Sequence, residues 1–422
     1  MTSLDATTDP TPTGATPAAP PVQRSDARTW LRQNLFSSSF NTLLTLTVGP
    51  LVALIAYQFL RFMLVTGRWE VVERNLTLFM VGTFPRDQLW RLWLAMGILS
   101  ITAGLTAGVI GAATRTAAIA AGRPVQINAS ERIRRLGPPA ALAFSILVFA
   151  RTASAFLLSA AIVGAGIVAM RISTRLPARA RRLIGPIAIA GVVLALLVVS
   201  LFGGVPRTQW GGLLITTYYT IAALVIAYPI GIAFALGRRS TLPLVRGVCT
   251  VYIEFFRGSP LITLLFTGWL VLPFFLPPGF PTPGLVTRAL VIFVLFTSAY
   301  VAEIVRGGLQ AVGRGQVEAA QALGLSPWKQ TRLVVLPQAL RAVIPGLVGQ
   351  AISLFKDTTL VLIIGQTDLL AVAQIVTKQN DFLGQGYIAE SLMFVAVVYW
   401  IASYWMSRES QRLEARLGVG VR

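Results

Sequence analysis

Residues 213–237, LLITTYYTIAALVIAYPIGIAFALG, carry no charge. A helix rises about 1.5 Å per residue, so roughly 20 apolar residues cross the hydrocarbon layer of a bilayer. Inside that layer every backbone N–H and C=O must be paired within its own element, which leaves helices as the form such runs take. Comparable runs occur at 41–66, 92–113, 184–204, 211–236, 259–277, 285–303, 342–365 and 390–406. Composition agrees. The chain is 55% hydrophobic and 12% charged, against about 25% charged in a soluble domain. The expected fold class is therefore all-α, a multi-pass transmembrane helical bundle.

Residues 138–170 are too long for one comfortable span, and Arg151 lies near their middle. A hairpin of two short spans puts Arg151 at the far surface; a single helix buries it in lipid, at roughly 2.5–3.5 kcal/mol. Segments 114–137 and 171–183 each carry five Arg. Basic loops favour the cytoplasmic side, and the hairpin puts both segments there if the N-terminus is cytoplasmic. This reading gives about ten spans with both termini inside; eight or nine is the alternative. The net charge of +20 is then a property of cytoplasmic loops beside a lipid bilayer, not the footprint of nucleic acid.

The chain has no histidine and one cysteine, Cys249. That removes His-based acid–base chemistry, His proton relays and zinc sites, so no metal, cofactor or catalytic residue is expected. Residues 1–27 are rich in Thr, Pro and Ala and lack the charged and apolar regions of a signal peptide. The expected division is a disordered cytoplasmic tail (1–36), an N-terminal extension of about five spans (37–207) and a second half of about five spans (208–422).

The second half holds a water-facing insertion, EAAQALGLSPWKQTRLVVLP, at 318–337. Gly324 is a natural left-handed helix stop, Ser326 an N-cap and Pro327 a first helical residue. The second helix is expected to run through 328–335 and end at Pro337. Small residues Ala319, Ala320 and Ala322 would let another protein approach; Leu325 and Trp328 would insert into its groove. Glu318-Ala319-Ala320, Gly324, Val334 and Leu336-Pro337 resemble the EAA loop of ABC importer permeases, EAA-x3-G-x9-I-x-L-P, with Val for Ile as the one departure. The resemblance implies a type I importer permease core with a coupling loop at about 314–337. It implies a dimeric ABC ATPase subunit docked on Glu318, Ala319, Ala320, Gly324, Leu325, Trp328, Leu336 and Pro337. The chain contains no G-x-x-x-x-G-K-[ST] phosphate loop, so ATP hydrolysis would fall to that separate subunit and this chain is not an enzyme.

Charged residues mark the neighbouring spans. Glu254 and Arg257 are three apart, as are Glu303 and Arg306, and either pair could share a helical face. Lys356 and Asp357 interrupt an apolar stretch and are followed by Thr358. Neighbours on a helix point about 100° apart, so the two do not fully satisfy each other. Glu254, Glu303 and Arg306 are the available counter-charges. An ionisable group within a span is costly and faces a partner or a watery cavity. EFFRGSPL, AYVAEIVRGG and KDTTL occur in the order seen in the polar amino-acid branch of ABC permeases, which they resemble. The long first half is similar to the extended permeases of general L-amino acid uptake, through RNLTLFMVGTFPRDQLWRLW (74–93). The resemblance implies an L-amino acid importer in a bacterial inner membrane, with a second permease subunit and a periplasmic amino-acid-binding protein as partners. The binding protein would meet the 274–288 loop and segment 366–389. Lys356 and Asp357 would contact a zwitterionic substrate or only brace their helix. An ion-coupled secondary transporter using Asp357 is the alternative function.

Overall fold

The computed structural model describes residues 27–120, 153–181, 183–200 and 205–417. The chain divides into two compact units, Met1–Gly67 and Arg68–Arg422. In the first, α1 (Ala27–Asn34) precedes α2 (Ser39–Arg61), which runs on through a π turn at Phe62–Thr66. Ser38 caps α2 by accepting from the Asn41 N–H, satisfying one of the orphan donors of a helix start. The tail expected to extend to residue 36 is thus helical over 27–34. A basic, Trp-bearing turn ahead of a span suits the membrane interface, where Trp30 and Leu31 can lie in the headgroup layer.

The second unit contains α3 (Glu70–Val81), α4 (Trp90–Ala120), α5 (Ala153–Arg175), α6 (Ile184–Ser200), α7 (Gly212–Gly237), α8 (Pro243–Gly258), α9 (Leu261–Phe266), α10 (Leu285–Ala311), α11 (Arg314–Ala322), α12 (Pro327–Gln330), α13 (Leu336–Asp357), α14 (Leu369–Val376) and α15 (Ile388–Leu417). Across both units, seven helical stretches are long and apolar enough to cross a membrane among the described residues: Ser39–Thr66, Arg86–Ala112, Leu157–Arg175, Gly212–Gly237, Leu285–Ala311, Pro327–Ile364 and Ile388–Ala415. The pair Pro243–Gly258 and Leu261–Phe275, bent by 104° at Ser259-Pro260, is long and apolar enough only when taken together, as a broken span or a re-entrant loop. Pro260 cannot donate and forces its predecessor out of helical geometry, so the chain turns there. Ile184–Ser200 is apolar but shorter. The first arm of the 138–170 hairpin, Arg151 included, lies outside the described residues.

Lipid tails are as apolar as leucine, so spans associate by close packing rather than by hydrophobic burial. The α4–α5 contact shows this. A β-carbon on Gly104 would sit 2.1 Å from the Gly166 carbonyl oxygen, and one on Gly108 2.3 Å from that of Met170. Two glycines four residues apart let the backbones touch, and no other residue fits there. Around α7, α10 and α13 the core is aromatic and branched, with Trp210, Tyr219, Phe293 and Leu354 almost fully buried.

Helix α3, within the expected extension, packs on helices of the second half. Val71, Val72 and Phe79 of α3 are buried against Leu369, Val372 and Val376 of α14 and Val395 and Val398 of α15. Their spacing is that of one helical face.

Candidate coupling hairpin and charged network

Helix α11 ends in a Schellman motif. The Leu325 N–H donates to the Ala320 carbonyl at 3.2 Å and the Gly324 N–H to that of Gln321 at 2.8 Å. Gly324 has φ +70°, a conformation that costs other residues more. Ser326 is the N-cap residue of α12 and Pro327 opens it, but the serine side chain makes no cap bond. Gln330 holds the corner instead, donating through Nε2 to the Leu325 carbonyl at 2.6 Å.

The second helix does not stop at Pro337. Residues 331–335 form a π turn in which the Leu336 N–H reaches back five residues to the Thr331 carbonyl, and α13 follows directly. Proline lacks a donor and its ring crowds the carbonyl four residues earlier. Widening the preceding turn accommodates both, which is how π turns arise inside helices. Pro327–Ile364 is one helical rod, so nothing loose separates the hairpin from the span.

Glu318, Ala319, Gly324, Trp328 and Pro337 are exposed, while Leu325 and Leu336 are half-buried. Ala320 is buried, unlike its neighbour Ala319. Leu323 is 79% exposed and Trp328 64%. Sequence reasoning passes over Leu323 because one more leucine carries no signal in an oily chain. Only its place at the end of α11, beside the left-handed Gly324, marks it.

At the same end of the bundle, Glu303 gathers arginines from three helices. Arg306 donates to both its oxygens, at 2.8 and 2.5 Å. Arg238, at the end of α7, donates to Glu303 at 3.3 Å and to Glu254 at 2.7 Å. Arg257 reaches Glu303 at 3.9 Å and lies over the Tyr300 ring. Glu254 therefore pairs with Arg238 and not with Arg257, its neighbour in sequence. Three cations face two carboxylates, and Glu303 is 24% exposed, enough to be screened only in part. Arg238 is invisible to local spacing because its partner lies 65 residues away.

Lys356 and Asp357 are not in this network. Gly308 of α10 packs on the Ala339 carbonyl, and Lys356 is 17 residues further along α13, roughly 25 Å at helical rise. Glu254, Glu303 and Arg306 are thus too far to be its counter-charges. Lys356 is exposed and Asp357 half-buried, and neither has an ion-pair partner among the described residues. They stand where α13 tightens into a 3-10 turn at buried Thr358. Beyond it, Asp368 caps α14, accepting from the Leu370 and Ala371 N–H groups at 3.2 and 2.9 Å. Burial pushes its carboxyl up to about 6, against the pull of those bonds. A raised acid pKa favours the fold below the unfolded value near 4 and loses that contribution as pH rises through 6. Asp368→Asn keeps the cap without the buried charge. It should show a higher melting temperature than the parent at pH 7.5 and a flatter dependence between pH 4 and 7, read by thermal unfolding in nanodiscs.

An α-helical bundle with several candidate spans and a capped hairpin fused to one of them defines a multi-pass membrane protein. Residues 227–416 match the family described as binding-protein-dependent transport system inner membrane component. The chain is 37% identical over 420 residues to the inner membrane amino-acid ABC transporter permease protein YhdY of Escherichia coli K12, covering 94% of each. It is 34% identical to the glutamate/glutamine/aspartate/asparagine transport system permease protein BztC of Rhodobacter capsulatus, over 95% of this chain and 96% of that one. The glutamate/aspartate import permease protein GltK of E. coli O6:H1 is 35% identical over 196 residues, 46% of this chain and 85% of that protein. The chain belongs to this family of inner membrane permeases and is the permease subunit of an ATP-binding-cassette amino-acid importer. Such a subunit works with a separate ATPase and a binding protein, and the ion-coupled alternative falls.

Proposed function

We propose that the 314–337 hairpin is the site at which an ATPase dimer drives this chain, and that both termini lie with it in the cytoplasm. The observation that carries this reading is the unbroken rod from Pro327 to Ile364, which joins the exposed corner at Leu323 and Trp328 to the helix bearing Lys356 and Asp357. ATP binding would move the corner, and the rod would tilt the span between two packed states of the bundle. The substrate path would run between this chain and a second permease subunit, along the face that exposes Lys356. An ammonium and a carboxylate side by side suit the two ends of an amino acid. The named substrates of BztC and GltK, acidic amino acids and their amides, make those the first to test, with Lys356 favouring a second carboxylate. The Glu254, Arg257, Glu303 and Arg306 cluster, with Arg238, would hold α7, α8 and α10 together at the cytoplasmic end during the stroke. The amino-acid-binding protein would dock at the opposite end, on the 274–288 and 366–389 segments.

Co-purification tests the coupling. The wild-type chain should bring down an ATPase subunit, and Glu318→Lys, which reverses an exposed charge on α11, should lose it or uncouple hydrolysis from uptake. Unchanged recovery and coupling in that variant would remove the hairpin from the mechanism.

A further inference from the structure

Leu92, Leu196 and Val199 of the first half pack into the core of the second, and residues 68–86 make a further, polar connection to it. Arg68 makes four contacts with the turn that leads into α15 and with the first residues of that helix, one of them an ion pair from Nε to Glu390 Oε1 at 3.9 Å. Its backbone N–H donates to Glu390 Oε1 at 3.1 Å. Its Nη2 donates to the Gln385 carbonyl at 2.6 Å. Its guanidinium lies 4.2 Å from the centre of the Tyr387 ring. Glu390 is 4% exposed, and its second oxygen has no partner among the described residues. A buried carboxylate half satisfied in this way depends heavily on the bonds it has.

Two further contacts continue the grip along α3. Gln379 donates to Asn75 Oδ1 at 2.8 Å, and Arg74 stands 3.7 Å from Asp381. At the far end of α3 the backbones themselves meet. A β-carbon on Gly82, whose φ is +65°, would lie 2.5 Å from Gly211 Cα. The Gly212 N–H in turn donates to the Thr367 carbonyl at 2.8 Å. Segment 367–390 is therefore held at its start by the glycine crossing, in the middle by Asn75 and Arg74, and at its end by Arg68. Gly384 and Gly386 within it have φ +74° and +79°. Two glycines in left-handed geometry make a turn that is costly to order from the unfolded chain, so the outside contacts add to its own bonds, such as Gln385 N–H to the Phe382 carbonyl at 3.2 Å.

We propose that Arg68 is a positioning residue of the importer: it seats the turn at 381–390 so that the amino-acid-binding protein meets a preformed surface at that end of the bundle. The proposal rests on the reading that this end faces the binding protein. The extension is shared in length by YhdY and BztC, which align over 94% and 96% of themselves, and exceeds what GltK can hold at about half this length. A preformed surface lowers the ordering cost of association without adding a contact to the partner. The effect therefore falls on binding-protein affinity and not on the hydrolytic step.

The test uses the complete complex in nanodiscs, with ATP hydrolysis measured as amino-acid-loaded binding protein is titrated. Arg68→Ala should leave basal hydrolysis within twofold of wild type and raise the half-maximal binding-protein concentration about tenfold, the loss expected from one cation–π contact and its hydrogen bond. Arg68→Lys, which keeps the charge over Tyr387 but not the Nη2 bond to the Gln385 carbonyl, should fall between. Amide hydrogen exchange should accelerate over 377–390 in Arg68→Ala and stay unchanged in α10 and α13. Unaltered exchange in that turn overturns the proposal whatever the hydrolysis shows. An unchanged half-maximal concentration, or an equal fall in basal and stimulated hydrolysis, overturns it too. A wild-type complex that ignores the binding protein overturns the orientation reading, and with it the docking role of Arg68, while the exchange arm still decides whether the clasp exists.

Discussion

A chain carrying Leu323→Asp together with Trp328→Ala should leave the membrane in detergent without its ATPase subunit. Both side chains stand at the corner between α11 and α12, 79% and 64% exposed. Neither is needed for the corner itself, which Gly324, Gln330 and the Schellman bonds maintain. A large apolar side chain that enters a partner's pocket typically contributes about 2 kcal/mol or more to binding. Losing two would weaken the complex by about 4 kcal/mol, near a thousandfold in dissociation constant. Isothermal titration of the purified ATPase into nanodisc-embedded chain reads this directly. The melting temperature of the isolated variant should match the parent, because no buried contact is lost. Retained binding within threefold would show that the partner's groove takes some other part of the hairpin.

Glu303→Gln should cost the fold about 2–4 kcal/mol and reduce uptake at least tenfold. The amide presents one acceptor and no charge to Arg238, Arg257 and Arg306, which then repel one another in a half-buried setting. Charge-assisted hydrogen bonds contribute about 1.5–3 kcal/mol each, and removing one partner of a buried group strands the others. Arg238→Gln should be milder, because Arg306 still grips Glu303 through two bonds and Arg257 remains close. Thermal unfolding of the two variants beside wild type checks the order. If Glu303→Gln melts with the parent, the cluster is a solvated ornament and its place at the end of three helices has another cause.

How much of this was legible in the sequence follows from the range of each signal. The corner at Gly324 and Pro327 is local chemistry, and the structure puts both where sequence rules do. Pro337 misleads because a proline reads as a stop unless the turn before it can widen, and nothing in TRLVV announces a π turn. The Glu303–Arg306 pair is one turn long and readable. Arg238 belongs to another helix and is not. Lys356 draws attention as a rare lysine, yet its counter-charge cannot be assigned from spacing, because helical rise carries it far from Glu303. The apolar face of α3, with Val71, Val72 and Phe79, has a readable period, but the surface it covers lies some 300 residues on in the chain.

The π turn at Thr331–Val335 has a consequence for how the protein tolerates change. Such a turn holds one residue more than an α-helix spanning the same rise. Deleting a single residue there would let the rod relax to regular geometry without shortening it by much. A π turn advances roughly 80° per residue against about 100° in an α-helix, so the corner would keep nearly the same azimuth relative to Lys356. What the deletion would cost is room for Pro337, whose ring would again crowd the carbonyl four residues before it, so the five positions guard a proline and leave the phase between handle and pathway intact.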